Sequence, residues 1–437
     1  MRVSAIIIWS SALALAAPSG RSQVAGAPLS VASPEAAPGP LSRTQAVDEA
    51  LAHNPALAAA REQVEEAKAG ISVATAWADP SLVTEADQLK NFLSPRSASE
   101  RDVGLQFTVP NPARTRLNGK VARGSWRQMQ LVLLQLQQQT AAQTAQAYDA
   151  LLVARRHQDD LNQSQEMARQ ILKTTEARYR AGTAARLDAL KAKVDYSKAT
   201  NLLIANEHAR TTAQAALNRL LGRPINAACK TADSLEIPDA LPDLAAVQVL
   251  ALNSRPELLS ASVQQQAARD STTLAKQYWL PDLNLTLWRS HIVGAPDSYK
   301  FDGGISVPLF FWQHEQGAVA QARHHERELS ASGADLSAQV ALDVQTAYSA
   351  AATALRQVAY LRDELVPQAK AAYHAAFESY TLGGSSSLEL LDAKATMLDA
   401  ESQLTDALGA ASDAQADLER AVGAPLPSAP TGAPHEK

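Results

Sequence analysis

Apolar residues recur every three or four positions along most of this 437-residue chain, and in two stretches they recur every second position. The first pattern predicts amphipathic helices and the second half-buried strands. The clearest helix follows a small-residue turn, Tyr380-Thr-Leu-Gly383-Gly-Ser-Ser-Ser387. It carries apolar residues at Leu388, Leu391, Ala395 and Leu398 and stops at Gly423. The same figure stands 201 residues upstream, as Tyr179-Arg-Ala-Gly182, then Leu187, Leu190 and Val194, ending Leu220-Leu-Gly222. One architectural unit is written twice.

Each copy opens alike. Residues 42–76 predict a helix with an N-cap at Ser42, interrupted at Asn54-Pro55, and Val249-Leu-Ala-Leu-Asn253-Ser-Arg-Pro256 opens its counterpart, which runs to Tyr278. Trp77-Ala-Asp-Pro80 and Trp279-Leu-Pro281 end the two openers. The period then changes to two. Val103, Leu105, Phe107 and Val109 alternate with Gly104, Gln106 and Thr108, and Leu283, Leu285 and Leu287 alternate with Asn284, Thr286 and Trp288. Four strands are predicted, over 81–89, 101–109, 282–292 and 300–310, as two hairpins with polar loops at 93–101 and 294–298. Their lengths suit a tilted membrane-crossing strand of about 9–11 residues. Trp77, Tyr278, Trp279, Phe310, Phe311 and Trp312 stand at the strand ends, where an interfacial aromatic girdle would lie. A water-soluble sheet with aromatic edges fits the same pattern.

Long helices follow each hairpin, over 112–178 and 313–379, each on the order of 100 Å at about 1.5 Å per residue. Ala141, Ala145, Tyr148 and Leu152 step as a coiled-coil seam, and Pro367 predicts a kink or junction in the second stretch. Shorter helices return over 184–221 and 386–422. The chain therefore divides into a first repeat, 42–222, a linker, 223–244, and a second repeat, 245–423. Pro224, Cys229, Pro238 and Pro242 mark the linker, and a proline-rich tail, 424–437, is expected to be disordered.

The N-terminus changes the compartment. Arg2 and the apolar run Val3–Ala17 predict a secretory signal over 1–22, followed by a flexible Ala/Pro/Ser/Gly segment over 23–41. No later stretch offers 18 consecutive apolar residues, so no membrane-spanning helix is expected. Only helices and closed barrels satisfy their backbone in lipid, and four strands with two open edges cannot close alone. The pattern asks for a ring of chains whose strands form one barrel and whose helices form a hollow tube.

Composition narrows the reading further. Charged residues are 19% and aromatics 5%, which suits alanine-rich helix packing more than a large globular core. A net charge of -5 with no basic aromatic face argues against nucleic acid. The single cysteine, Cys229, leaves no internal disulfide and no cysteine for lipidation near the signal. No Gly-x-Ser-x-Gly, phosphate-binding glycine loop or His-Glu-x-x-His is present, so no enzyme and no cofactor are expected. His314, His324, His325 and Glu328 include a four-residue spacing that can chelate, but with no cysteine and no third aligned ligand a solvated helix face is expected instead.

These features together resemble the TolC-like family of outer-membrane efflux ducts across residues 42–423. The matching stretches are Asn54-Pro55-Ala-Leu57, Trp279-Leu-Pro281, Gly304-Ile-Ser-Val-Pro308-Leu, both Tyr-x-x-Gly turns and Leu390-Leu-Asp392-Ala. The resemblance implies a mainly α fold with a membrane β-barrel. Twelve strands would be completed by a homotrimer, and a long helical barrel would reach into the periplasm. It implies residence in outer-membrane lipid, a periplasmic adaptor and an inner-membrane pump of the RND type. Ser306-Val-Pro308-Leu-Phe-Phe-Trp312 and Ser387-Leu-Glu389-Leu-Leu-Asp392-Ala-Lys394 are similar to the heavy-metal efflux subgroup. The absent lipidation cysteine departs from lipidated relatives. A multidrug or type I secretion duct shares the fold, and a periplasmic coiled-coil adaptor is the alternative without a barrel.

The resemblance also assigns residues. It implies that Asp188, Glu389 and Asp392, six to nine residues after the turn glycines, ring the periplasmic mouth. Glu389 and Asp392, three apart, share one helix face. Gly384-Ser385 stands where relatives carry a tip arginine, which removes that salt-bridge latch. Tyr179, Gly182, Tyr380, Gly383 and Gly384 are expected to form exposed tips that meet the adaptor, although each tyrosine is also placed to pack the last helical turn before a glycine cap.

Overall fold

A computed structural model describes residues 39–87, 100–235, 240–277, 279–292, 294–306 and 311–426. The predicted signal, the tip of the first hairpin loop, Tyr278, Pro308, Phe310 and most of the proline-rich tail lie outside the described residues, as do the side chains of Phe311 and His314. The elements run α1 (Arg43–His53), α2 (Pro55–Thr75), β1 (Ser81–Asp87), β2 (Glu100–Val109), α3 (Pro112–Arg180) and α4 (Arg186–Leu220). The second half repeats them as α5 (Leu244–Ser254), α6 (Pro256–Ala275), β3 (Asp282–Ile292), β4 (Ser298–Ser306), α7 (Phe311–Tyr360), a π-turn (Leu361–Leu365), α8 (Val366–Leu382) and α9 (Ser387–Val422). Pro55, Pro112 and Pro256 each open a helix, where the missing N–H costs nothing. The described chain divides into two compact units, one of residues 66–126 and 264–329 and one of the rest.

The first unit holds the sheet. The two predicted hairpins join into one antiparallel sheet in the order β1-β2-β3-β4, because β2 and β3 pair from Glu100↔Ile292 to Val109↔Leu283. Register sorts the two faces. One carries rows such as Leu82–Leu105–Leu287–Phe301 and Val109–Leu283–Ile305. The other carries rows such as Glu85–Asp102–Ser290–Ser298. The apolar side chains are not covered by the chain itself: Leu82 is 70%, Phe301 68% and Ile305 69% exposed. On the polar face Trp288 lies flat on β2, where a Cβ at residue 104 would come within 2.5 Å of its ring, so only glycine fits at Gly104. At the helix end of the sheet, Asp282 accepts from the Asn111 backbone N–H at 2.9 Å and pairs with Arg114 at 2.8 Å, tying the start of α3 to β3.

The second unit contains two cores related by the repeat. One gathers Ala46, Ala50, Leu151, Leu217, Leu221 and Cys229, and its counterpart gathers Val247, Ala251, Ala351, Leu418 and Val422. Each large aliphatic group buried there contributes about 1.5–3 kcal/mol. A tyrosine braces the entry of each: Tyr148 Oη donates to Leu41 O at 2.7 Å, and Tyr348 Oη to Pro242 O at 3.0 Å. The closing glycines match as well. Gly222 (φ +71°) lies against the His53 carbonyl, and Gly423 (φ +76°) against Ser254 and Arg255.

The π-turn explains a mismatch between the copies. Tyr148 and Tyr348 are 200 residues apart, whereas Tyr179 and Tyr380, like Gly182 and Gly383, are 201 apart. One residue has been added between these landmarks, and the five-residue turn at Leu361–Leu365, with Val366 N–H bonding Leu361 O, is where a helix absorbs one. Pro367 follows at once and has no N–H to restore the regular ladder. The junction predicted at that proline is therefore a widened turn just before it.

Candidate functional site

Both candidate tips are helix ends closed by glycine. At the end of α3, Gly182 takes φ +79° and Thr183 N–H reaches back to Arg178 O at 2.9 Å. At the end of α8, Gly383 takes φ +86° and Gly384 N–H reaches back to Ser379 O at 2.8 Å. Left-handed closure of this kind leaves the last carbonyls satisfied and turns the chain sharply into the next helix.

The two tyrosines of these turns have different surroundings, which corrects the expectation of two like tips. Tyr179 is 44% exposed, but Tyr380 is only 4% exposed. Tyr380 Oη lies 2.9 Å from Thr175 Oγ1, whose own hydroxyl donates to Ile171 O at 2.8 Å. The Arg178 guanidinium sits 4.7 Å from the Tyr380 ring centroid and donates to Tyr380 O at 2.6 Å. The physical reason is one residue. The position before the tyrosine is Arg178 in the first copy and Ser379 in the second, so only Tyr380 gains a cation over its ring. Gly182, Gly383 and Gly384 are exposed.

Asp188 and Glu389 stand in the first turns of α4 and α9, and Asp392 lies one turn further along α9. Asp188 Oδ2 accepts from Ala185 N–H at 3.3 Å, and its Oδ1 accepts from the Ser387 hydroxyl at 2.5 Å. Glu389 closes a capping box with Ser386: its Oε2 accepts from Ser386 N–H at 3.2 Å, and Ser386 Oγ accepts from Glu389 N–H at 3.3 Å. Glu389 and Asp392 are exposed, and Asp188 is half-buried. The carboxylates of Asp188 and Glu389 are favoured by the helix N-termini whose first turns they occupy. The structure thus brings Asp188 to the N-terminus of α9 through Ser387, and gives Asp188 and Glu389 capping roles that spacing alone did not reveal.

A charge pair missed in the sequence holds the same two helices. Lys394 is 2% exposed, and its ammonium is 2.7 Å from Asp195 Oδ2. The available signal was position: Lys394 interrupts the buried stripe Leu390, Met397 and Ala400 on α9. His325 Nδ1 meets Glu328 Oε2 at 3.2 Å on an exposed surface, and among the described residues no three metal-ligating side chains converge.

The sequence profile of the outer membrane efflux protein family matches residues 46–223 and again residues 247–424. The chain belongs to the outer membrane efflux protein family. It is 24% identical over 400 residues to the cobalt-zinc-cadmium resistance protein CzcC of Cupriavidus metallidurans, covering 89% of this chain and 92% of that protein. Among solved structures, the outer-membrane channel OprN superposes with a TM-score of 0.74 at 18% identity, over 87% of this chain and 89% of the other. CusC gives 0.73 at 19% identity over 87% and 92%, and VceC of Vibrio cholerae gives 0.72 at 18% over 88% and 96%. The fold is therefore that of the outer-membrane efflux channels. As a member of this family the chain is an outer-membrane protein and not an enzyme. No helix among the described residues is long and apolar enough to cross a membrane.

Proposed function

We propose that this chain is the outer-membrane duct of an export assembly that removes divalent metal cations. The observation that carries the cargo is its likeness to CzcC along nearly the whole length of both proteins. The observation that carries the duct is the two-faced sheet, whose exposed apolar face suits lipid and whose edge strands β1 and β4 each have one edge without a partner strand among the described residues. An open edge in lipid leaves backbone groups unsatisfied, so the sheet closes with copies of itself. Three copies would give twelve strands.

In this reading Asp188, Glu389 and Asp392 of three chains line the periplasmic mouth. Tyr179, Gly182, Gly383 and Gly384 face a periplasmic adaptor that couples the duct to an inner-membrane pump. The duct itself supplies no energy. Growth of a deletion strain on zinc, cobalt, cadmium, nickel, copper and silver, beside lipophilic drugs, tests the cargo. Sensitivity to metals alone, rescued by the intact chain, supports the reading. Sensitivity to drugs alone moves the protein to a multidrug system and sinks the metal assignment.

A further inference from the structure

We propose that the polar face of the sheet is a second charge filter, placed at the loop end of the barrel wall, that passes cations in preference to anions. The proposal rests on the duct reading, which turns this face toward the lumen. Among the described residues, the polar face carries Glu85, Glu100 and Asp102 toward the hairpin loops and Asp302 at mid-sheet, against one cation, Lys300. The arginines of the same region, Arg101 and Arg289, stand on alternate positions and so on the opposite face. The wall thus separates its charges, carboxylates inward and guanidiniums outward.

The arrangement is built, not a loose run of acids. Lys300 Nζ bonds Glu100, and it lies 3.0 Å from Asp102 Oδ2. Trp288 Nε1 donates to Asp302 Oδ2 at 2.6 Å, which fixes that carboxylate on the face. The Asp102 side chain is 10% exposed, and its Oδ1 has no hydrogen-bond partner. With no donor on Oδ1, the Asp102 carboxylate is offset only through Oδ2, by Lys300, and keeps part of its negative charge on this face. The single ammonium already drawn to two carboxylates shows which sign of charge the face attracts. Threefold repetition multiplies the excess negative charge within a low-dielectric wall, where fields are focused along the pore.

The test uses the full-length protein reconstituted in planar bilayers, with reversal potentials read in a potassium chloride gradient. The isosteric variant E100Q/D102N is expected to lower the potassium-over-chloride permeability ratio by at least about twofold. K300Q is expected to raise it, because it removes the one cation on the face among the described residues. K300Q decides the matter alone if the double variant does not insert. Channels whose ratio is unchanged in these variants overturn the proposal. Absence of any channel from the wild-type protein overturns the duct reading itself, so the two failures are distinguishable.

Discussion

Lys394 on α9 is sealed to 2% exposure with its ammonium 2.7 Å from Asp195 Oδ2 on α4. Deleting one partner of such a pair leaves an uncompensated buried charge, at a cost of about 3–5 kcal/mol. Asp195 is 27% exposed, so water moderates the cost toward the lower value. Asp195→Ala is therefore expected to destabilise by about 3 kcal/mol. Lys394→Met, which fills the site with an apolar chain of similar length, is expected to cost less. The double variant D195A/K394M should recover most of the loss. Thermal unfolding followed by helical circular dichroism reads all three, and additive losses in the double variant would show that the pair does not couple.

The two tip tyrosines should respond in opposite ways. Tyr380→Ala removes a ring packed under Arg178 and is expected to cost about 3–5 kcal/mol, while Tyr380→Phe loses only the bond to Thr175, about 1 kcal/mol. Tyr179→Ala should change stability by less than about 0.5 kcal/mol. A cysteine at residue 179 is expected to cross-link to a purified adaptor and one at residue 380 is not. Equal adduct yields at the two positions would contradict the asymmetry.

The limits of the sequence are visible in these same residues. Helix borders were legible because proline and glycine punctuate them: Pro55, Pro112 and Pro256 open helices, and Gly182, Gly383 and Gly423 close them. The strands were legible because Leu283, Leu285 and Leu287 alternate with polar residues. That β2 pairs with β3 was not, since the ladder joins residues about 180 positions apart and period two says nothing of partners. The burial of Tyr380 turns on Arg178, about 200 residues away in sequence. The change of offset from 200 to 201 was present in the sequence, but it acquires meaning only with the π-turn in view.

If the π-turn holds one inserted residue, removing one residue there should be tolerated. Deletion of Asp363 together with Pro367→Ala is expected to yield folded, membrane-inserted protein, because a regular helical turn then replaces the wide one. Deletion of Leu161, within the unbroken helix α3, should not be tolerated, since it rotates every later side chain by about 100° relative to its neighbours. Heat-modifiable mobility of membrane extracts on gels compares the two deletions. Equal loss in both would remove the insertion argument.

Asp413 gives the stability a pH dependence. Asp413 is exposed at the surface, but partial desolvation by its neighbours, then the charges of Asp149 and Asp417, push its pKa up from 3.8 to about 6, against a smaller opposing effect of Arg43. A carboxyl with a raised folded pKa favours the native state while protonated, so its contribution is complete below pH 3.8 and is lost as the pH rises through about 6. Asp413→Asn, which stays neutral, is expected to have the higher Tm at pH 7.5 and no advantage near pH 3.5. An identical Tm difference at both values would exclude this carboxyl as the cause.

The acidic residues at the starts of α4 and α9 should differ in what they control. Glu389→Gln keeps the capping box, since glutamine serves at the same helix position, and so removes charge without removing the cap. Combined with Asp392→Asn it is expected to leave stability nearly unchanged and to lower cation preference in bilayers by at least about twofold. Asp188→Asn should instead weaken the bond to Ser387 across the two helix starts, with a cost of about 1 kcal/mol and a smaller change in selectivity. These charges sit on α9 and those of the sheet on β2 and β4, so E389Q/D392N and E100Q/D102N can be read separately in the same membrane. If the helix-start pair leaves both conductance and selectivity unchanged in protein that still forms channels, these residues do not line the mouth.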